Sequence, residues 1–312
     1  MLQLVSNNPE FHISDKRFYR LAQGVGWSVV ILFGALILSL IFSSQESIVK
    51  FGIGFLWDTS WDPIEEYYGA LTFAYGTLIT SILALAISAP PCIALALFTT
   101  EICHQKFRGI LAFLIEMLAA IPSIIYGTWA LFILAPLVRE VIFPICNQWL
   151  PAWGIVQGPS FGLGILTSSL ILAIMVSPII ATICIEVFKA VPVNQRYAAL
   201  ALGATRWEMF KIALLKPGAK GILGGMILGL GRALGETMAV AMVIGNSPEI
   251  SASLFGPGAT MASVIANEYA EAVDDLHLSS LNYVALILFL ITFLVNVLAK
   301  KIVNRASGMA KQ

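Results

Sequence analysis

The chain has 312 residues, of which 58% are hydrophobic and 12% are charged, with equal numbers of basic and acidic side chains. Soluble domains average about 25% charged residues, so this composition excludes an ordinary soluble protein, and the zero net charge gives no indication of nucleic-acid binding. The four cysteines and three histidines show no spacing typical of a metal site or a disulfide framework. The composition therefore predicts an integral membrane protein built as one helical bundle.

Six apolar runs approach or exceed the roughly 20 residues that a helix needs to cross a bilayer. The predicted spans cover residues 25–43, 70–100, 109–135, 161–186, 221–245 and 283–299. They leave an N-terminal segment at 1–24, an outer loop at 44–69, a loop at 187–220 and a tail at 300–312, and residues 70–299 form the predicted core domain. The first run is followed by no small-residue cleavage pattern, so we interpret it as a retained span rather than a signal peptide.

Lysine and arginine are distributed unevenly between the two predicted sides. They concentrate in segment 1–24, in the loop after the second span, in segment 187–220 and in the tail 300–312, whereas the opposite loops are acidic. Loops rich in Lys and Arg remain in the cytoplasm, which predicts that both termini and segment 187–220 are cytoplasmic. The expected location is the cytoplasmic (inner) membrane of a bacterium, with several passes through the bilayer.

Segment 187–220 is the longest polar interruption on the basic side. It has an Ala-rich start, Gly203 where a helix can end, and an amphipathic run before Pro217, a pattern that predicts a helix-turn-helix lying along the membrane. Two interpretations remain: an interfacial helix that only anchors the loop, or a docking element for another protein. The candidate docking residues are Ala198, Ala199, Gly203, Ala204, Thr205, Arg206 and Glu208.

Ionisable residues inside the predicted spans are a second group of candidates. Arg232 and Glu236 are four residues apart, so a continuous fifth span would place them on one helix face, with Thr237 following. Such residues are costly in a membrane and usually face a cavity or a partner, although a self-neutralising pair that only holds the bundle together is the alternative. We interpret Glu116, in the third predicted span, as structural.

The predicted spans also contain proline and glycine residues. The prolines at membrane depth are hinges of a gate or kinks that fit the bundle, and they are Pro90, Pro91, Pro122 with Ser123 beside it, and Pro178. Gly221, Gly225 and Gly229 recur at four-residue intervals, which predicts a seam of close helix packing.

The loop block resembles the EAA loop of ABC importer permeases, which has Glu-Ala-Ala, three residues, Gly, nine residues and Ile-x-Leu-Pro. Ala198, Ala199 and Gly203 match this pattern, whereas Tyr197 stands where the glutamate is usual and Pro217 lies one residue beyond the expected proline. The resemblance implies a coupling helix that sits in a cleft of a separate ATPase subunit.

Three longer segments, 68–101, 119–139 and 232–246, resemble the PstC-type permeases of phosphate importers. The resemblance implies an all-α, six-span type I importer bundle of the MetI-like kind. It also implies a heterodimer with a PstA-type permease, two PstB-type ATPase subunits and an external PstS-type phosphate-binding protein. No catalytic, metal or cofactor site is expected on this chain, because the partner ATPase would bind ATP and Mg²⁺; consistently, the sequence lacks a G-x-x-x-x-G-K-[ST] phosphate loop.

The resemblance also implies that Arg232, Glu236 and Thr237 line the substrate path, where a guanidinium fork would suit phosphate oxygens. Two other functions remain open. One is a permease for another oxyanion such as sulfate, molybdate or phosphonate. The other is a self-sufficient, proton-coupled secondary transporter in which Arg232, Glu236 and Glu116 form a proton relay.

Overall fold

The computed structural model describes residues 13–149, 156 and 160–309. Residues 1–12 of the predicted N-terminal segment, most of 150–159 in the predicted outer loop between the third and fourth spans (136–159) and residues 310–312 of the predicted tail lie outside the described residues. The described chain is mostly helical, which confirms the all-α prediction, and its described strands form a single short hairpin.

Most of the described elements are helices. In chain order they are α1 (Ile13–Ser43), α2 (Gln45–Phe51), β1 (Trp61–Asp62), β2 (Tyr67–Tyr68), α3 (Leu71–Ile102), α4 (Gln105–Ala120), α5 (Ser123–Trp149), α6 (Ile165–Lys189), α7 (Val193–Ala201), α8 (Arg206–Leu234), α9 (Met238–Ala241), α10 (Met261–Glu268) and α11 (Asp275–Met309). Among the described residues, six helices are long and apolar enough to cross a membrane: α1, α3, α5, α6, α8 and α11.

The third predicted span, 109–135, falls on two helices in the structure. Ile121 and Pro122 both have extended backbone, with ψ angles of 128° and 140°. For Ile121 the physical reason is that a residue before proline is disfavoured in the α region. Helix α4 therefore ends at Ala120, and the span-length helix α5 runs on to Trp149 through part of the predicted outer loop.

The fifth predicted span, 221–245, also differs from the structure. Helix α8 begins at Arg206, inside the predicted loop, and ends at Leu234, with Gly235 as its C-cap. Its first part is polar on one side and buried on the other, with Met209, Ala213 and Leu214 in the core. An amphipathic run of this kind continues a helix even though its mean hydropathy is too low for a predicted span.

Helix α6 is the centre of the bundle. It packs along α3 on one side and along α8 on another, and many of its apolar side chains are buried, with Ile180, Cys184 and Phe188 completely so. Buried hydroxyls at this interface donate to carbonyls one turn earlier, as Thr80 does to Gly76 and Ser169 to Ile165. These bonds satisfy polar groups that lipid could not satisfy.

The segment between α9 and α10 has no helix or strand and lies against the starts of α3 and α6. Its backbone is held by hydrogen bonds to the start of α6 and within itself, including Ile165 N to Gly256 O at 3.2 Å and Gly258 N to Ile244 O at 2.9 Å. It passes so close to α3 that a Cβ at Gly76 would collide with the carbonyl of Ala259. Irregular backbone within a membrane bundle requires this kind of internal satisfaction.

The β1–β2 hairpin is fixed against α10 and α11 by one shared carboxylate. Glu268 Oε2 accepts a hydrogen bond from Trp61 Nε1 at 2.9 Å and lies 3.0 Å from His277 Nε2. The Tyr68 ring stacks on the His277 ring, and burial raises the pKa of Tyr68 to about 12, with nearby carboxylates acting in the same direction. The Tyr68 phenol therefore stays neutral at physiological pH.

The predicted glycine seam is present between α8 and α6. Gly221, Gly225 and Gly229 face Val187, Ile183 and Ile180, and a Cβ at Gly225 or Gly229 would lie 3.0 or 2.9 Å from the facing isoleucine. Close backbone approach of this kind is the usual basis of helix association in membranes.

We expect Gly221→Ala to destabilise the protein, because the added Cβ would lie 2.9 Å from Val187 Cγ1 and nearer still to Cγ2, and a β-branched side chain has little rotamer freedom with which to move. Overpacking of this kind costs about 1–3 kcal/mol. The matched control is Gly224→Ala on the same helix, whose Cβ would meet nothing within 4 Å. Thermal unfolding of both variants in one detergent measures the difference, and equal midpoints would contradict the seam.

Candidate translocation path and coupling segment

The predicted path residues lie at a break in the chain. Helix α8 stops at Leu234, and Gly235, Glu236 and Thr237 connect it to the short helix α9. The turn is held weakly, with Glu236 N and Thr237 Oγ1 each 3.4 Å from a carbonyl within the same turn. Discontinuous helices of this kind mark binding sites in many transporters, because the interruption exposes polar groups within the bundle.

Arg232 and Glu236 are not paired in the structure. Arg232 is exposed in the last turn of α8, whereas Glu236 lies beyond the helix end and is half-buried. The predicted shared helix face is therefore absent, since the helix does not continue through Glu236. Within the described part of the chain, no carboxylate oxygen lies within 4.0 Å of the Arg232 guanidinium.

The break is packed against the start of α5. A Cβ at Gly127 would lie 2.9 Å from Ala239 Cα and 2.8 Å from Met242 Sδ, so α9 sits directly on α5, a turn beyond Pro122 and Ser123. The Tyr126 hydroxyl donates to Leu118 O at 2.8 Å and bridges the break between α4 and α5. The structure thus brings two interruptions together, one at Ile121–Pro122 and one at 235–237.

The other predicted hinge prolines form a separate group. Pro90 and Pro91 lie inside α3 and Pro178 lies inside α6, without ending either helix. Cys92 Sγ donates to Ser177 O at 3.3 Å, which places the two proline sites at the same level of the α3–α6 interface. Glu116, on α4, is exposed.

Segment 187–220 contains a helix, a turn and a second helix as predicted, but the second helix is the start of the span-length helix α8 and not a separate surface helix. Helix α7 follows Pro192 as its N-cap, and Gly203 adopts the left-handed conformation (φ +85°) at the turn, which glycine adopts without steric cost. Thr205 then caps α8: its Oγ1 accepts from Glu208 N at 3.3 Å, while Glu208 Oε2 accepts from Thr205 N at 2.8 Å. This reciprocal capping box fixes the direction in which α8 leaves the turn.

The candidate docking residues are divided between exposed and half-buried positions. Ala198, Gly203, Thr205, Arg206 and Glu208 are exposed. Ala199 and Ala204 are half-buried, and Ala199 packs against the core. The exposed side of this turn also carries Tyr197, which is 66% exposed, and Leu202, which is 89% exposed. Apolar side chains at that exposure form a surface suited to contact with another protein.

A buried ion pair that we did not predict holds α7 in place. Arg196 Nη1 lies 3.1 Å from Glu101 Oε1 at the end of α3, and Arg196 Nη2 donates to Phe188 O in α6 at 2.7 Å. Both side chains are largely buried, at 16% and 11% exposure. The sequence gives one signal for this pair, an acidic residue at the end of an apolar run next to a basic loop.

Comparison with known proteins agrees with this fold. Residues 93–308 match the family described as "Binding-protein-dependent transport system inner membrane component". The chain is 43% identical to the phosphate transport system permease protein PstC of Mesorhizobium japonicum, over 95% of this chain and 91% of that one. It is also 43% identical to the PstC of Pasteurella multocida, over 97% and 96% of the two chains, and 35% identical to a probable PstC of Methanocaldococcus jannaschii, over 86% and 87%.

Solved structures share the fold at low identity. A bacterial ABC transporter involved in the import of alginate matches with a TM-score of 0.55 and 16% identity, covering 93% of this chain and 99% of that one. The MetNI methionine ABC transporter in an inward-facing form matches with a TM-score of 0.51 and 16% identity, covering 74% and 91%. The six span-length helices and the family match agree, and the chain therefore belongs to the binding-protein-dependent transport system inner membrane components, as a multi-pass protein of the inner membrane.

Proposed function

We propose that this chain is the permease subunit of an ATP-driven importer that carries inorganic phosphate across the cytoplasmic membrane. The observation that carries the proposal is the identity of 43% with PstC permeases over nearly the whole length of both chains. The fold of ABC importers supports it independently of any substrate. The permease transmits movement and lines the path, and a separate subunit hydrolyses ATP.

The complete transporter would contain a PstA-type permease as the second half of the membrane unit, two PstB-type ATPase subunits that bind ATP and Mg²⁺, and an external PstS-type binding protein. This topology requires both termini and the turn between α7 and α8 to be cytoplasmic, as the distribution of Lys and Arg favours. The exposed Tyr197 and Leu202 support an ATPase contact at that turn, because water-exposed apolar groups gain most from being covered.

Arg232 is the residue that we propose contacts the passing phosphate. Its guanidinium has no carboxylate partner among the described residues, so its charge is available, and its planar fork matches two phosphate oxygens. Glu236 and Thr237, in the adjoining break, would supply a proton acceptor and a hydroxyl. Arg232 is exposed in this chain, and a charged side chain that faced lipid would be costly. This cost supports a path that runs along the surface covered by the second permease.

Movement of α7 would reach this path through the helices that it contacts. Arg196 ties α7 to the ends of α3 and α6, and both of those helices carry the proline sites at Pro90, Pro91 and Pro178. The other proposed hinge, at Pro122 and Ser123, lies a turn before Gly127, which packs against α9. We propose that closure of the ATPase pair moves α7 and that these interruptions absorb the resulting bends.

Uptake of radiolabelled phosphate into vesicles tests the function. We expect uptake to require ATP, the ATPase subunit, the second permease and the binding protein, and to resist competition by sulfate, molybdate or phosphonate. Uptake by this chain alone under a proton gradient would instead support a secondary transporter. Effective competition by another oxyanion would identify that ion as the substrate.

We expect Arg232→Gln to lower phosphate uptake about 10- to 100-fold, because a hydrogen bond to a charged group contributes about 1.5–3 kcal/mol. Co-purification of the complete transporter checks that assembly is unchanged. The matched control is Lys300→Gln, an exposed cation at the far end of α11, which should transport normally. Wild-type uptake by an assembled Arg232→Gln transporter would refute the role of Arg232.

We expect Ala198→Glu to weaken binding of the ATPase subunit about tenfold or more, since it would place an unpaired carboxylate in the proposed interface. The matched control is Ala190→Glu, an alanine that is also exposed and lies just after α6 and outside α7. Membrane insertion of both variants should be normal. Equal ATPase affinity for the two variants, measured by co-purification, would mean that α7 only anchors the loop.

A further inference from the structure

A cavity of about 290 Å³ lies where α3, α4, α6 and α7 meet. Three of its lining side chains are cations, and each comes from a different helix: Arg108 from α4, Lys189 from α6 and Arg196 from α7. The remaining lining residues are uncharged, and they are Thr99, Thr100, Gly109, Ala112 and Ile185. No carboxylate is among the lining residues. The three cations therefore repel one another across the cavity.

The cations around the cavity are only partly neutralised. Lys189 pairs with Glu186 at 2.9 Å, but both side chains are more than half exposed, and such surface pairs contribute little. Arg108 donates from Nε to Cys103 O at 3.0 Å, and no carboxylate in the described chain lies within 4.0 Å of its nitrogens. A positive charge therefore remains at the cavity.

The buried guanidinium of Arg196 is also short of partners. Its Nη1 lies 3.1 Å from Glu101 Oε1 without hydrogen-bond geometry, and its Nε is buried with no acceptor within the described structure. An unsatisfied donor on a charged, largely buried group costs free energy. A small rotation of the guanidinium toward a ligand in the cavity would relieve that cost.

We propose that this cavity binds a phosphate group, either as inorganic phosphate or as the headgroup of an anionic lipid. Cations on three helices around one small space suit a compact anion that presents oxygens in several directions, and two of the three are arginines, whose fork matches phosphate. Thr99 and Thr100 already donate their hydroxyls to carbonyls of α3. These two hydroxyl protons are therefore not free to bond a ligand, and the positive charge of the three cations would select an anion.

Occupancy of this site would join α4, α6 and α7 through one anion. Its effect on ATPase coupling rests on the proposed function of α7, because only then does holding α7 in place matter to transport. Binding itself does not depend on that function. A phosphate group here would stabilise the seated position of α7 in the same way as the Arg196–Glu101 pair does.

Binding is measured on the full chain with Arg232→Gln as the background, so that phosphate bound at the proposed path does not contribute. In one arm, inorganic phosphate is titrated into protein in nanodiscs of neutral phosphatidylcholine. In the other, phosphatidylglycerol is added to the nanodiscs without phosphate. The readouts are the thermal unfolding midpoint, which a ligand of the folded state raises, and the Kd.

We expect Arg108→Gln and Lys189→Gln each to weaken binding about tenfold or more, the loss expected for a charge-assisted hydrogen bond. Arg108→Lys, which keeps the positive charge, should retain part of the binding affinity. The matched control is Lys220→Gln, an exposed cation on α8 away from the cavity, which should bind normally. Unfolding without ligand confirms that each variant is folded.

The two arms identify the source of the phosphate group. A response to inorganic phosphate that only the cavity variants lose supports a site for the free ion, and the same pattern with phosphatidylglycerol supports a lipid headgroup. The proposal is overturned if neither arm gives a response, or if the cavity variants respond as strongly as the Lys220→Gln control.

Discussion

Close contact between helix backbones at α6 is the constraint on which the rest of this bundle depends. In a bilayer, apolar side chains gain little from leaving lipid for another helix, so packing and hydrogen bonding must hold helices together. Helix α6 has the largest buried share of the six spans, at 56% of its most apolar window. Gly221, Gly225 and Gly229 let α8 approach it, and that approach positions both the capped turn at one end of α8 and the break at the other.

Apolar run length predicted the number of spans and the all-helical class, because both follow from the cost of placing unsatisfied backbone in lipid. It did not predict where the third and fifth spans are interrupted. The run 109–135 is continuous in hydropathy, yet Ile121, just before Pro122, has extended backbone and α4 ends there. Conversely, residues 206–220 have the charge of a loop, but their buried side continues α8. Hydropathy predicts whether a segment lies in lipid or in water, but it does not predict where its helix begins and ends.

The candidate sites differ in the same way in how far the sequence could predict them. The turn at Gly203 and the Thr205–Glu208 cap are local, and their residue types carry the signal. The Arg196–Glu101 pair joins residues 95 positions apart, and the packing of Gly127 against Ala239 joins positions on separate helices. Contacts of this kind depend on how the helices are arranged in space, which a single sequence without aligned relatives does not specify.

The short length of α7 explains why a buried arginine is needed at its centre. Nine residues are too few for a stable helix in water, and its exposed side carries Tyr197, which is 66% exposed. The position of α7 therefore depends on the start of α8, on Ala199 in the core and on the bonds of Arg196 to α3 and α6. Under the proposed function, a partner bound at its exposed side would move α7, and the bonds of Arg196 would carry that movement to α3 and α6, which each contain proline.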